Sequence, residues 1–311
     1  MTHDTNRKNI DTALEAPGAP QNVIATDAVT EAHAGGQTAH DPHPNLPPFG
    51  VRRMGAVNTF GVWTLYQKEV RRFLKVMLQT VFAPAIMTML FMVIFTVALG
   101  REGRIVLGQP FTNFLAPGLM VMGLMQNAFA NTSSSILIGK VQGTIVDVLM
   151  PPMGPGELVT AYVAGGVTRG VLVAASVSVA MFFWPGVSIG VAHGWAIIYF
   201  ALSAAIMMSL IGILTGIWAD KFDHAAAITN FIIQPLSILS GTFYSIERLP
   251  ENWQAFCHLN PFFYLIDGFR YGIIGRADGD VLTGALVCLG LNIVLWLLCL
   301  RVFQRGYRIK S

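Results

Sequence analysis

The sequence predicts an all-α integral membrane protein with six transmembrane helices. Most of the chain after residue 75 consists of apolar stretches that each carry at most one charged side chain. A helix needs about 20 apolar residues to cross the roughly 30 Å hydrocarbon core of a bilayer, where backbone groups must pair within the segment. Hydrophobic residues make up 53% of the chain and charged residues 12%, which is typical of the same class.

The spans follow from the runs without Asp, Glu, Lys or Arg and from the residues that break helices between them. Trp184-Pro185-Gly186 divides the longest uncharged run into two crossings. The predicted spans are residues 78–99, 115–138, 160–183, 195–218, 226–245 and 281–302. The stretch before the last span is about half apolar and too polar to cross, so it predicts short re-entrant or interfacial helices.

The basic residues predict that both termini are cytoplasmic, because Lys and Arg near span ends are retained on that side. With the amino terminus inside, twelve basic residues fall in inner segments and five in outer ones (Arg101, Arg104, Arg248, Arg270 and Arg276). An even number of spans also requires both ends to share a side. The net charge of +3 therefore reflects topology, and no nucleic-acid partner is expected.

Residues 1–50 differ in composition from the transmembrane domain at 51–311. They are rich in Ala, Pro, Gly, His, Asp and Thr with almost no aromatic residues, and such a segment buries too little apolar surface to fold. We expect a disordered tail without a signal peptide, since no apolar stretch follows a basic start. Its histidines have no other ligand cluster nearby, so no metal site is expected.

Residues 58–75 predict an amphipathic helix that lies at the inner membrane surface. Four basic residues recur at i, i+3, i+4 and i+7 and share a helix face, namely Lys68, Arg71, Arg72 and Lys75. Anionic head groups of membrane lipid attract such a face. The same residues also serve as the positively charged flank that sets topology, and the two interpretations are compatible.

Polar side chains within the spans are the candidates for a transport pathway, because they seek partners between helices or line a cavity. Asn127 and Asn131 lie in the second span, and Asn230 and Gln234 lie in the fifth. Arg169 is the one unambiguous charge inside a span, where an ionisable residue indicates a functional site or a side chain that reaches toward head groups. Proline and glycine residues, such as the Gly-x-x-x-Gly pair Gly212 and Gly216, are typical of kinked or closely packed helices.

The sequence contains few of the residue patterns that catalytic sites require. The chain lacks a Gly-x-x-x-x-Gly-Lys-Ser/Thr phosphate loop and a zinc-protease pattern, and its three cysteines are scattered. Asp220-Lys221-Phe222-Asp223 is similar to half of a metal–diphosphate site, but a second such pair is missing. We therefore expect no enzyme activity and no cofactor bound by this chain.

Two segments outside the spans carry a resemblance to a known family. After the second span, Gly143-Thr144, Asp147, Leu149, Pro151 and Glu157 form one motif, and a helix there has an apolar face suited to a groove on a soluble partner. The second is Asn260-Pro261, Tyr264 and Phe269-Arg270 before the last span; Gly165-Gly166 with Arg169-Gly170 lies in the third span. From about residue 60 to its end, the chain resembles ABC-2 type permeases of ABC transporters.

This resemblance implies a permease subunit that forms the substrate pathway as a dimer, mostly for export across a bacterial inner membrane. ATP and Mg would be bound by a separate ABC ATP-binding subunit. The resemblance implies that residues 140–150 form the coupling helix, with candidate contacts at Val141, Gln142, Thr144, Ile145, Asp147, Val148 and Leu149. Tyr264 and Arg270 join the pathway candidates through the outer motif.

Two other classes of function stay open at this point. A secondary carrier is expected to show internal repeats and ionisable residues near the membrane midplane, and the predicted spans contain no Asp or Glu in their interiors. An intramembrane enzyme is the weaker alternative. The cargo does not follow from the sequence, although the lack of acidic residues in the spans argues mildly against a strongly cationic compound.

Overall fold

The computed structural model describes residues 57–99, 105–184, 186–188 and 190–306. The predicted tail at 1–50 lies outside this range. The described helices are α1 (Thr59–Leu74), α2 (Ala83–Leu99), α3 (Phe111–Val141), α4 (Ile145–Leu149), α5 (Pro155–Phe182), α6 (Gly194–Trp218), α7 (Phe222–Ile228), α8 (Gln234–Ser237), α9 (Glu251–Leu259), α10 (Pro261–Ile274) and α11 (Val281–Arg305). A small antiparallel hairpin, β1 (Ile105–Val106) with β2 (Gln109–Pro110), precedes α3.

The described residues contain five helices that are long and apolar enough to cross a membrane. Their bounds are Leu78–Ala98, Pro155–Phe182, Gly194–Trp218, Phe222–Thr242 and Val281–Arg305, and they correspond to the predicted first, third, fourth, fifth and sixth spans. Helix α3 covers the predicted second span but is not among the five. Its crossing of the membrane therefore stays a prediction.

Helix α3 is more polar than the others because it is enclosed by the rest of the chain. It packs against α2, α5, α6 and α10, and nearly every position from Phe111 to Leu137 is buried. The amides of Gln126, Asn127 and Asn131 lower the hydropathy of this helix. A helix surrounded by protein offers its polar groups partners on its neighbours, so it does not need the apolar surface that lipid contact requires.

Small residues bring α3 close to α5 and α6. The sequence predicts close packing at Gly212 and Gly216, and the structure supplies the partner helix. A Cβ atom at Gly212 would lie 2.6 Å from the backbone oxygen of Phe129, and one at Gly216 would lie 2.9 Å from that of Ser133. On α5, a Cβ atom at Gly170 would lie 3.0 Å from the backbone oxygen of Leu124 on α3. These three glycines permit backbone contacts that a larger residue would prevent.

We predict that Gly212→Ala lowers the stability of the folded chain, because the added methyl group would clash with Phe129 and with the Thr132 hydroxyl. Overpacking of this kind costs about 1–3 kcal/mol, and thermal denaturation of the purified protein in detergent measures it. Gly290→Ala on α11 is the matched control, since a Cβ atom there would meet open space. Equal losses in both variants would contradict the prediction.

The fifth predicted span is irregular around Pro235. Wide π-helical turns at Thr229–Ile233 and Ile238–Thr242 flank the short α8, and Gly241 has a φ of 74°. Proline removes one backbone hydrogen bond and interrupts the regular ladder. This bend returns the chain to α9 and α10, the two short helices of the predicted re-entrant region, whose placement in the membrane stays a prediction.

The caps explain where the last two helices begin and end. Asn260 accepts a hydrogen bond from the backbone N–H of Phe262 at 3.1 Å and starts α10, which ends at Gly275 with a φ of 69°. Asp280 accepts from the Thr283 backbone N–H at 2.8 Å and from its hydroxyl. These hydrogen bonds from Thr283 hold the pKa of the Asp280 carboxyl below its usual value, and α11 then extends to Gly306.

Candidate functional site

A cluster of polar side chains joins α1, α3 and α5, and we call it the α3 polar cluster. Its members are Glu69, Arg72, Asn127, Asn131, Ser134, Ser135 and Arg169. The Arg72 guanidinium donates to the backbone oxygen of Asn131 at 2.8 Å and to its amide oxygen at 3.0 Å. Arg169 donates to the amide oxygen of Asn127 at 3.1 Å. The structure therefore brings three predicted pathway residues, Asn127, Asn131 and Arg169, into one cluster with Arg72.

Glu69 is a member that the sequence analysis missed. Its carboxylate is fully buried, accepts a hydrogen bond from the Ser135 hydroxyl at 2.6 Å and pairs with Arg72 at 3.0 Å. Gly165 makes room for it, because a Cβ atom there would lie 2.7 Å from that of Glu69. The sequence analysis considered acidic residues only within span interiors, so it overlooked Glu69 and also Asp267, which is buried on α10.

The available signal was the position of Glu69 on α1. The acidic residue lies three positions before Arg72 and shares a helix face with Leu65 and Phe73, both of which are buried. Its neighbours Lys68 and Arg71 are basic and made the segment look like a uniform surface helix. The apolar residues on either side of Glu69 indicated instead that it faces the protein.

The four basic residues predicted to share a face of residues 58–75 do not share one environment. Lys68, Arg71 and Lys75 are exposed, whereas Arg72 reaches the α3 polar cluster. The sequence predicts all four on a single surface, and the structure differs because Asn131 and Ser134 supply acceptors within reach of the long Arg72 side chain. Helix α1 also packs along α5.

The α3 polar cluster is reached along one partly exposed line of α3. Gln126, Ala130 and Ser134 lie at i, i+4 and i+8 and are partly exposed, as is Ser135 beside the last of them. Arg72 contacts Ser134, and Arg169 contacts the neighbouring Asn127. Two guanidinium groups therefore flank the line.

The other predicted pathway residues lie elsewhere. Asn230 is exposed in the first wide turn of the fifth span, and Gln234 is half-buried at the start of α8. Tyr264 on α10 packs over Gly284 of α11, where an added Cβ atom would lie 3.1 Å from the ring. Within the described part of the chain, no hydrogen bond joins these three residues to the α3 polar cluster.

Arg270 is the centre of a second charged group, which we call the Arg270 cluster. Its side chain is fully buried, lies 3.6 Å from the Asp267 carboxylate and 3.7 Å from that of Asp278, and donates to the Gly241 backbone oxygen at 2.7 Å. The Phe114 ring lies 3.9 Å from the guanidinium carbon. Because this environment encloses Arg270, its contacts indicate a structural tie between α10, α3 and the loop before α11.

The two carboxylates of the Arg270 cluster are held by further hydrogen bonds. Asp267 accepts from the backbone N–H groups of Asp278 and Gly279 at 2.9 Å each. Asp278 accepts from the Ser245 hydroxyl at 2.5 Å. These contacts join three segments that are distant in the sequence.

Residues 140–150 expose only part of the predicted coupling surface. Ile145 is buried, and Val148 and Leu149 are half-buried against the chain's own core. The exposed residues of the segment are Val141, Gln142, Gly143, Thr144, Val146, Asp147 and Met150. The predicted apolar face consists of Val141, Ile145, Val148 and Leu149. The last three attach α4 to the bundle, whereas Val141 is exposed. Val146 at 53% exposure and Met150 at 76% lie outside that face.

Polar contacts hold the ends of the neighbouring helices around α4. The Lys140 ammonium donates to the backbone oxygens of Ile217 and Ala219 at 2.8 and 2.7 Å and lies 3.3 Å from Asp220. The Glu157 carboxylate accepts from the backbone N–H groups of Asn58 and Gly154 at 2.6 and 2.8 Å. These contacts fix the ends of the helices that adjoin α4.

A family model described as ABC-2 type transporter matches residues 61–274. The chain belongs to the ABC-2 type transporter family. It is therefore the membrane permease of an ABC transporter, and the family implies an ABC ATP-binding subunit as its partner.

Individual relatives cover much of this ABC-2 permease. It is 34% identical over 250 residues to the inner membrane transport permease YadH of Escherichia coli K12, covering 80% of this chain and 96% of the relative. It is 26% identical over 180 residues to nodulation protein J of Sinorhizobium fredii, covering 56% and 66%. For nodulation protein J of Rhizobium leguminosarum biovar viciae the identity is 24% over 180 residues, covering 56% and 67%.

The motifs that carry the family resemblance have distinct physical roles in this permease. Glu157 ties the start of α1 to the start of α5. Gly165 and Gly166 admit Glu69 and Ser209 to the surface of α5. Asn260 caps α10 and donates to the Leu236 backbone oxygen at 2.9 Å. Most of these residues shape contacts between helices.

Proposed function

We propose that this permease exports its cargo from the cytoplasm as one half of a homodimer, driven by two copies of a separate ATP-binding subunit. ATP and Mg belong to that subunit, and this chain holds no cofactor. The names of the Escherichia coli relatives favour the inner membrane of a bacterium, and the basic residues favour cytoplasmic termini and six crossings that include α3.

The outward side of α4 is the observation that carries the proposal. Val146 and Met150 are exposed hydrophobic residues beside the exposed Asp147 carboxylate. A short helix that offers apolar side chains with a charged neighbour suits a groove on a soluble protein. Since Ile145 attaches the same helix to the bundle, a push on α4 would reach α3, α5 and α6.

A secondary carrier remains the alternative, and the buried Glu69 bears on it. Carriers that use protons need a carboxylate whose charge changes during the cycle. Glu69 is instead paired with Arg72 at 3.0 Å and accepts a hydrogen bond from the Ser135 hydroxyl at 2.6 Å. This pairing favours a role in holding α1 against α3 and α5.

The decisive experiment co-expresses the tagged permease with each ABC ATP-binding subunit of the same cell. We expect one of them to co-purify as a complex with two copies of each chain by native mass spectrometry, and ATP hydrolysis in proteoliposomes to require both. Inside-out vesicles should then accumulate a cell metabolite only when ATP and both subunits are present. Accumulation by the permease alone would overturn the proposal.

A further inference from the structure

The α3 polar cluster contains more hydrogen-bond donors than acceptors. Both oxygens of Glu69 are used, one by Ser135 and one by Arg72. The amide oxygens of Asn127 and Asn131 are occupied by Arg169 and Arg72. Three buried donors then have no partner within the described part of the chain, namely Nε of Arg72, Nδ2 of Asn131 and Nε of Arg169.

The cluster also carries excess positive charge. It holds the two cations Arg72 and Arg169 and the single carboxylate of Glu69, which leaves a net charge of +1. The two guanidinium groups contact asparagines one helical turn apart on α3, Asn131 and Asn127, so their like charges repel each other. An added anion would relieve this repulsion, whereas an added cation would increase it.

The unpaired donors lie beside the partly exposed line of α3. The Arg72 side chain is 27% exposed, Arg169 is half-buried, and Gln126 and Ser134 lie on the line itself. The Nε2 atom of Gln126 is a further buried donor without a partner in the described residues. A ligand that approaches this line would therefore meet donors on α1, α3 and α5.

We propose that the α3 polar cluster binds an anionic, oxygen-rich group of the cargo, such as a phosphate, sulfate or carboxylate. Arginine provides several N–H groups in a planar arrangement that suits such oxyanions, and these charge-assisted hydrogen bonds are the stronger kind. The amide nitrogen of Asn131 adds a neutral donor beside Arg72. This assignment rests on the proposed transport function and adds the chemical class of the cargo.

The test measures ligand binding to the purified full-length permease in dodecyl maltoside, without any ATP-binding subunit. The probes are dodecyl phosphate, dodecyltrimethylammonium and inorganic phosphate, and the readouts are microscale thermophoresis and the thermal denaturation midpoint. We expect saturable binding of dodecyl phosphate, weakened at least about tenfold by Arg169→Gln and by Arg72→Gln. Arg71→Gln is the matched control, because Arg71 is the exposed neighbour on α1, and it should bind normally.

The results of the binding assay either support or contradict an anion site at the α3 polar cluster. Competition by inorganic phosphate would support recognition of the anionic group alone, and binding of dodecyl phosphate without such competition would support an anionic amphiphile. Unchanged affinity in the arginine variants, or equal binding of dodecyltrimethylammonium, would overturn the assignment. If Arg72→Gln does not fold because Glu69 loses its partner, Arg169→Gln and Asn131→Ala carry the test. Because the binding assay contains no ATPase, its result is independent of the test of the proposed function.

Discussion

Replacement of Arg270 by leucine is expected to destabilise the permease severely. The substitution leaves the carboxylates of Asp267 and Asp278 buried without their shared cation. Removal of one partner from a buried ion pair typically costs about 3–5 kcal/mol, which is a large fraction of the stability of a folded chain. The yield of folded protein and the thermal denaturation midpoint in detergent measure the loss.

Two further variants show whether charge is the cause. Arg276→Leu is the matched control, because Arg276 is exposed a short distance along the chain, and its midpoint should stay near that of the natural protein. Adding Asp267→Asn and Asp278→Asn to Arg270→Leu should recover part of the loss, since amides do not need a counter-charge. A midpoint that is unchanged in Arg270→Leu would contradict the structural role of the Arg270 cluster.

The double variant Val146→Glu with Met150→Glu is expected to abolish coupling to the ATP-binding subunit while the permease itself stays folded. Both side chains are exposed in the isolated chain, so the substitutions do not disturb its core. In a complex they would place two carboxylates in an apolar contact, where charges are costly to bury. We expect at least about tenfold weaker association, because the central apolar residues of an interface carry most of its binding energy.

Co-purification and stimulated ATP hydrolysis measure this effect. Val191→Glu is the control, since Val191 is 73% exposed. It comes after the carboxyl-terminal end of α5, whereas α4 precedes the amino-terminal end of that helix. It should leave both readouts unchanged. Reversal of the Asp147 charge tests the same surface. A change at Leu149 is a poorer test because Leu149 packs on its own bundle. Normal association of the double variant would show that the ATP-binding subunit docks elsewhere.

The segments that form helices could largely be predicted from the sequence. The length and hydropathy of the apolar segments located α2, α5, α6 and α11 within a few residues. Transfer of a segment from water into the membrane depends mainly on its own residues, so the sequence predicts it. The proline and glycine residues likewise predicted kinked or closely packed helices, but not which helices meet. Helix α3 was the exception, because its hydropathy is lower than that of the other spans. Other helices enclose it, so it does not need apolar side chains that face lipid.

The side chains that face one another could not be predicted in the same way. The sequence by itself determined which stretches are apolar, the basic run on α1 and the motifs of the family. Only the tertiary structure decided that Glu69 and Arg72 turn toward α3, that Arg270 is enclosed, and that α4 exposes Val146 and Met150. The rotation of a helix about its axis depends on partners such as Asn131 and Gly165, which lie far away in the chain. A local pattern of charges does not predict those distant partners. The residues of the candidate site are therefore brought together only by the packing of the helices.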